Sequence, residues 1–121
     1  MNKAIIAGAV LAGLAVILGA FGTHGLKDSL SDKELTWWNT AQYYHTIHSL
    51  GLIAGGLLAG RGMEKHLRWC RYLFLIGIIF FSGSLYIMAL WPDLRWLGTI
   101  TPLGGVSFII GWISMALSQR K

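Results

Sequence analysis

Residues 72–91 read YLFLIGIIFFSGSLYIMALW, twenty positions without a charged side chain. At about 1.5 Å of rise per residue, a helix of that length covers about 30 Å, the hydrocarbon thickness of a bilayer. A backbone amide in lipid finds no water, so it must be satisfied within its own segment, and the run is predicted to be helical. Arg71 precedes the run and Trp91-Pro92 closes it.

Three more runs share this character on either side. Residues 4–21 carry no charge, 43–60 start polar and turn apolar, and 101–117 are apolar and small. The chain is therefore predicted to be all-α. We expect an integral membrane four-helix bundle, one domain over 1–121, with helices at about 4–22, 32–60, 71–91 and 101–118. The composition agrees. Apolar residues make up 55% of the 121 and charged residues 12%, about half the usual charged share of a soluble domain, and mean hydropathy is +0.58. A soluble domain this small has no interior large enough for that apolar surface.

The net charge of +5 does not point to nucleic acid, because the basic residues lie in short segments between apolar runs. That placement suits anionic headgroups and topology. Lys3, Arg61, Lys65, Arg68, Arg71, Arg120 and Lys121 fall on one side, and Lys27, Lys33 and Arg95 on the other. Seven against three predicts both termini in the cytoplasm of a multi-pass inner-membrane protein, with membrane lipids as its surroundings. A cleaved signal peptide is the alternative for the first run. Leu18-Gly19-Ala20 is a poor cleavage site and the run is longer than a usual signal core, so the helix is expected to be retained. A single cysteine, Cys70, excludes an intrachain disulfide.

Local signals set the helix ends. Ser31-Asp32-Lys33-Glu34 has the spacing of a capping box. Thr101 before Pro102 reads as an N-cap with a first-turn proline. Trp37, Trp38, Tyr43 and Tyr44 are expected at the outer interface. Small residues form stripes: Gly8, Ala12, Ala15 and Gly19; Gly51 and Gly55; Gly104, Ser107, Gly111, Ser114 and Ser118. Such stripes let helices approach closely, within one bundle, in a homo-oligomer, or against a partner membrane protein. The basic stretch from Arg61 to Arg71, with Trp69 and Tyr72, reads first as a topology anchor and second as a phospholipid contact. His66 on that loop is expected to be solvated.

Polar groups at membrane depth are costly, so they mark candidate sites. His24 is placed about 30 Å along the helix from Lys3, and His45 and His48 about 22 and 18 Å from Gly60. Gln42, His45, His48 and Tyr86, with His24, are thus candidates for lining one outward-facing pocket. Ser82, Ser84, Thr99 and Thr101 reach the same level. His45-x-x-His48 with His24 is a weak candidate metal set, since no cysteine or carboxylate at depth completes a first shell. No acidic side chain at depth is available to orient a histidine beside Ser49, Ser82 or Ser84, which argues against nucleophilic catalysis. The glycine-rich stretch 19–25 lacks the lysine of a phosphate loop and reads as helix termination. The residues name no cofactor.

Four segments in order carry a resemblance. They are Gly-Ala-Phe-Gly-Thr-His-Gly-Leu (19–26), Thr-Ala-Gln-Tyr-Tyr-His-Thr-Ile-His-Ser-Leu (40–50), Phe-Ser-Gly-Ser-Leu-Tyr (81–86) and Thr-Ile-Thr-Pro-Leu-Gly-Gly (99–105), followed by Gly111-Trp112. The chain resembles the small bacterial membrane proteins grouped as domain of unknown function 423, of the UPF0382 type, and more distantly eukaryotic transmembrane protein 256. The resemblance implies a four-helix inner-membrane protein with its first helix retained, and it carries no reaction. The expected role is binding of a small molecule, lipid or ion in the outward pocket, for transport or as an accessory, with histidine titration gating it near neutral pH. The alternatives are a structural partner of another membrane complex and a histidine-ligated metal or haem redox protein.

Overall fold

In the computed structural model, which describes residues 1–120, the chain is all-helical among the described residues. Helix α1 spans Lys3–His24, with the Asn2 side chain capping the amide of Ile5. Helix α2 spans Asp32–Leu57 and starts at the capping box foreseen from the sequence: Ser31 Oγ accepts from Glu34 N, and Glu34 Oε1 accepts from Ser31 N. Helix α3 (Glu64–Gly77) runs into a π-helical turn, Ile78–Gly83, and then into α4 (Ser84–Leu90). A 3₁₀ segment, Pro92–Thr99, leads into α5 (Thr101–Ser118). Lys121, one of the basic residues counted above, lies outside the described residues.

Three rods are long and apolar enough to cross a membrane: Lys3–His24, the continuous Glu64–Leu90, and Thr101–Ser118. Helix α2 has the length, 26 residues, but carries polar side chains along it and buries them. Helix α1 packs along α2, α3 packs along α5, and α4, the π turn and α3 each pack on α2. The outside is apolar, and polar side chains share the interior with an apolar core. Val10, Val16, Ile17, Leu50, Ile79 and Leu103 face outward, while His45, His48, Ser49, Ser82 and Ser107 are buried. Apolar side chains that meet lipid gain nothing from burial, whereas polar ones need partners.

Close approach comes from the small residues. A Cβ added at Gly8 would lie 2.7 Å from the Ser49 carbonyl, one at Gly51 2.8 Å from the Phe74 ring, and one at Gly111 2.7 Å from the same ring. Gly55 faces the Arg71 stem at 3.3 Å. These faces meet backbone and side-chain atoms of the same chain. Helices α1 and α2 run antiparallel, because Asn2 donates to the Gly56 carbonyl at one end and Trp38 to Leu18 at the other. The amide of Met63 donates to the Ser118 carbonyl, which brings the ends bearing Lys3, Arg61, Lys65 and Arg120 together.

Four local features differ from the sequence reading. Helix α2 stops at Leu57 rather than near 60, and Gly60 takes φ +79 in the following turn. Helix α3 begins at Glu64, seven residues before 71, because the basic stretch is amphipathic: Leu67 and Cys70 are buried, and Arg71 bonds Glu64 at 2.8 Å two turns back. His66 therefore sits on a helix, half-buried, rather than in a solvated loop. Thr101 is not the N-cap. Ile100 occupies that position without a side-chain cap, and the Thr101 hydroxyl turns to Ser84 instead.

Candidate functional site

The five candidate residues fall into three places. The first is the seam between α1, α2 and α4. Trp38 is 2% exposed, so it is a core residue here and not an interface marker. Its indole N–H donates to the Leu18 carbonyl at 3.0 Å, and its ring fills the space that Gly22 leaves open. Gln42 Nε2 donates to Thr46 Oγ1 at 3.2 Å and reaches the Ala15 carbonyl at 3.4 Å, lying against Gly19 of α1. One turn on, His45 Nδ1 shares a 2.9 Å hydrogen bond with the Tyr86 hydroxyl of α4. The Tyr86 ring in turn meets the edge of Trp38, centroids 4.8 Å apart. His45 Nε2 is buried without a hydrogen-bond partner.

Tyr86→Phe keeps the ring against Trp38 and removes only the hydroxyl. Hydrogen bonds between membrane helices average about 0.6 kcal/mol and reach about 1.7. Because His45 is 2% exposed and would lose its Nδ1 partner, a loss of about 1 kcal/mol is expected. Thermal unfolding in detergent would measure it, and an unchanged midpoint would show that this bond contributes nothing.

The second place is the seam between α2 and α5, which His48 occupies. Its two nitrogens have different partners, and these assign the tautomer. Nδ1 donates to the Tyr44 carbonyl at 2.7 Å, which leaves Nε2 to accept from the Trp112 indole N–H at 2.9 Å. The imidazole lies flat on Phe108, centroids 3.5 Å apart and planes 11° apart, with the Phe74 ring edge-on at 5.2 Å. Both ring nitrogens are thus spent on protein groups.

The third place is the last residue of α1, where His24 is exposed and joins neither seam. His45 and His48 bond to different helices, α4 and α5. Among the described residues, no three of His, Cys, Asp or Glu come together as a metal would require.

Three buried serines each donate to a backbone carbonyl. Ser82 donates to the Ala41 carbonyl at 2.8 Å, Ser49 to the His45 carbonyl at 2.7 Å, and Ser107 to the Leu73 carbonyl at 2.6 Å. Sequence reasoning assigned no part to Phe108 or to the Trp112 indole. A usable signal existed for the latter, since an indole N–H among lipid tails finds no water and needs an acceptor, and His48 is a polar group near that depth.

Beside His48 the surface opens into a groove of about 490 Å³ between α2 and α5. Tyr43, Tyr44, His48, Phe81, Phe108 and Trp112 wall it, and Gly105 also lines it. The volume is in the range of small-molecule sites, and the walls are mostly aromatic, with Ile47 and Ile109 the aliphatic remainder.

Residues 18–105 match the family described as "Protein of unknown function (DUF423)". The chain is 48% identical to a UPF0382 membrane protein of Staphylococcus epidermidis, over all of this chain and 98% of the relative. It is 46% identical to the UPF0382 membrane protein YwdK of Bacillus subtilis, again over all of this chain and 98% of the relative. No solved structure matches it. The chain belongs to the DUF423 family, whose named relatives here are bacterial membrane proteins.

Proposed function

We propose that this chain is a four-span protein of the cytoplasmic membrane, with both termini on the cytoplasmic side, that binds a membrane-dissolved molecule in the groove between α2 and α5. The groove carries the reading. Against lipid, aliphatic side chains would serve as well as rings, yet six aromatic side chains, counting imidazole, wall this hollow. Rings offer π faces and edges to a flat, mostly apolar ligand, and Tyr43 and Tyr44 add hydroxyls for a polar end. Binding is favoured over catalysis because His48 has no free nitrogen: one donates to Tyr44 and the other accepts from Trp112. The seven-to-three distribution of Lys and Arg supports the orientation. Packing against another protein through the glycine stripes has less support, because Gly8, Gly19, Gly51, Gly55, Gly104 and Gly111 all face this chain's own residues.

Gly105→Leu tests the groove. A Cβ at Gly105 meets nothing nearer than the Phe81 ring at 3.7 Å, which is ordinary contact. The added side chain therefore fills the groove without straining the helices. In native mass spectrometry of protein purified in mild detergent, the parent chain is expected to carry a bound organic molecule that Gly105→Leu lacks, at an unchanged unfolding midpoint. The same bound species on both proteins, or none on either, would end this reading.

A further inference from the structure

At the basic end of the molecule a second hollow, of about 340 Å³, lies between α1 and α3. Both helices pack on α2, and Leu52 of α2, wholly buried, lines the hollow between them. Ala7 and Leu75 add apolar walls, while Lys3, Arg68 and Arg71 also line it. An adjoining hollow of about 470 Å³ shares Lys3 and Arg71. The two halves of this cleft have opposite chemistry. One suits an acyl chain and the other an anion.

We propose that this cleft holds one anionic phospholipid, its phosphate on Lys3, Arg68 and Arg71 and an acyl chain along Ala7 and Leu75, over the buried Leu52. Charge complementarity selects the occupant. Three cations converge, and one acid, Glu64, stands beside them, bonded to Arg71 at 2.8 Å. Glu64 occupies one edge of the Arg71 guanidinium through Nη2, which leaves further N–H donors in the same rigid fork for phosphate oxygens. Arg71 is held from below as well, since its stem lies over Gly55 of α2. It therefore presents a positioned donor set rather than a flexible surface charge. Basic pockets between membrane helices on the cytoplasmic side are where anionic headgroups bind. A zwitterionic lipid would set its own cation against this cluster. The inference is independent of the α2–α5 groove and rests on the chain's residence in a membrane with this basic end at the cytoplasmic face, as proposed above.

The test is native mass spectrometry of the full chain in detergent, titrated with dioleoyl phosphatidylglycerol and, separately, with dioleoyl phosphatidylcholine. One phosphatidylglycerol is expected to bind at least about tenfold more tightly than phosphatidylcholine. Lys3→Gln with Arg68→Gln is expected to weaken it on the order of tenfold or more. Arg61→Gln with Lys65→Gln removes two exposed cations at the same end but outside the cleft, and should leave binding unchanged. Ala7→Phe, which blocks the acyl path, should abolish the single tight site in protein whose unfolding midpoint is intact. Equal affinity for the two lipids, or equal losses in the two charge-removing pairs, would overturn the proposal. Glycerol phosphate displacing the lipid at comparable concentration would overturn the acyl-chain half of it.

Discussion

Gly104→Leu is expected to destabilise the chain by about 3 kcal/mol or more and lower its melting midpoint, while the same substitution one residue later, Gly105→Leu, is tolerated. A Cβ built on Gly104 falls within contact of the Phe81 backbone nitrogen, 2.8 Å from the Phe81 Cα and 2.7 Å from its Cβ. The obstruction is main chain, so no rotamer change relieves it. Phe81 belongs to the π turn, and the Gly104 contact is where α5 meets that turn. Overpacking in a well-filled core costs about 1–3 kcal/mol, and more when backbone must move. A leucine against backbone belongs at or beyond the upper end, about 3 kcal/mol or more. That is a large part of the roughly 5–15 kcal/mol holding a typical domain together. Thermal unfolding followed by circular dichroism in detergent would measure it. A Gly104→Leu protein that melts with the parent would show that the close approach of α5 to the π turn is not required.

The contrast between adjacent glycines shows where sequence reading stops. The stripe Gly104, Ser107, Gly111 is visible as a pattern, and so is its meaning as a contact face. Which of Gly104 and Gly105 touches backbone depends on rotation about α5 and on a widened turn in its neighbour. A π turn inserts a residue without a composition signal, and nothing local in Ile78–Gly83 announces it. The Ser84 hydroxyl accompanies it by donating to the Phe81 carbonyl at 2.9 Å. The all-helical class, the Ser31–Glu34 box and the stop before Pro92 were legible because each depends on neighbours in sequence. The start of α3 was not. Charge there suggested loop, and only the burial of Leu67 and Cys70 against other helices makes it helix. Trp38 was misplaced for a related reason. Aromatic residues near a span end read as interface anchors, but a tryptophan opposite a glycine such as Gly22 can sink into the seam. That His45 and Tyr86 can meet follows from the depth arithmetic, whereas the division of the polar residues between two seams does not. His45 and His48 are three positions apart, and that separation was enough to send one to Tyr86 and the other to Trp112.

His48→Ala is expected to cost about 3–5 kcal/mol, and His48→Phe only about 1. The difference follows from what each change removes. Alanine deletes a ring that stacks on Phe108 at 3.5 Å and receives the Phe74 edge, in a position 3% exposed. Removing a buried ring usually costs about 3–5 kcal/mol through lost contacts and the cavity left behind. Phenylalanine keeps the stack and loses the two hydrogen bonds. The Tyr44 carbonyl still has its helical amide, so the main deficit is the Trp112 indole N–H. Trp112 is 41% exposed, toward the groove and lipid, so that N–H has room to shift. Its bond to His48 is therefore assigned about 0.6 kcal/mol, the mean for bonds between membrane helices, with about 1.7 as the upper bound. A double-mutant cycle of His48→Phe and Trp112→Phe isolates that coupling from ring packing. If alanine and phenylalanine at position 48 prove equally damaging, or if the cycle returns a coupling of several kcal/mol, the hydrogen bond and not the aromatic stack joins α2 to α5. The groove beside it would then have to be read as a polar site.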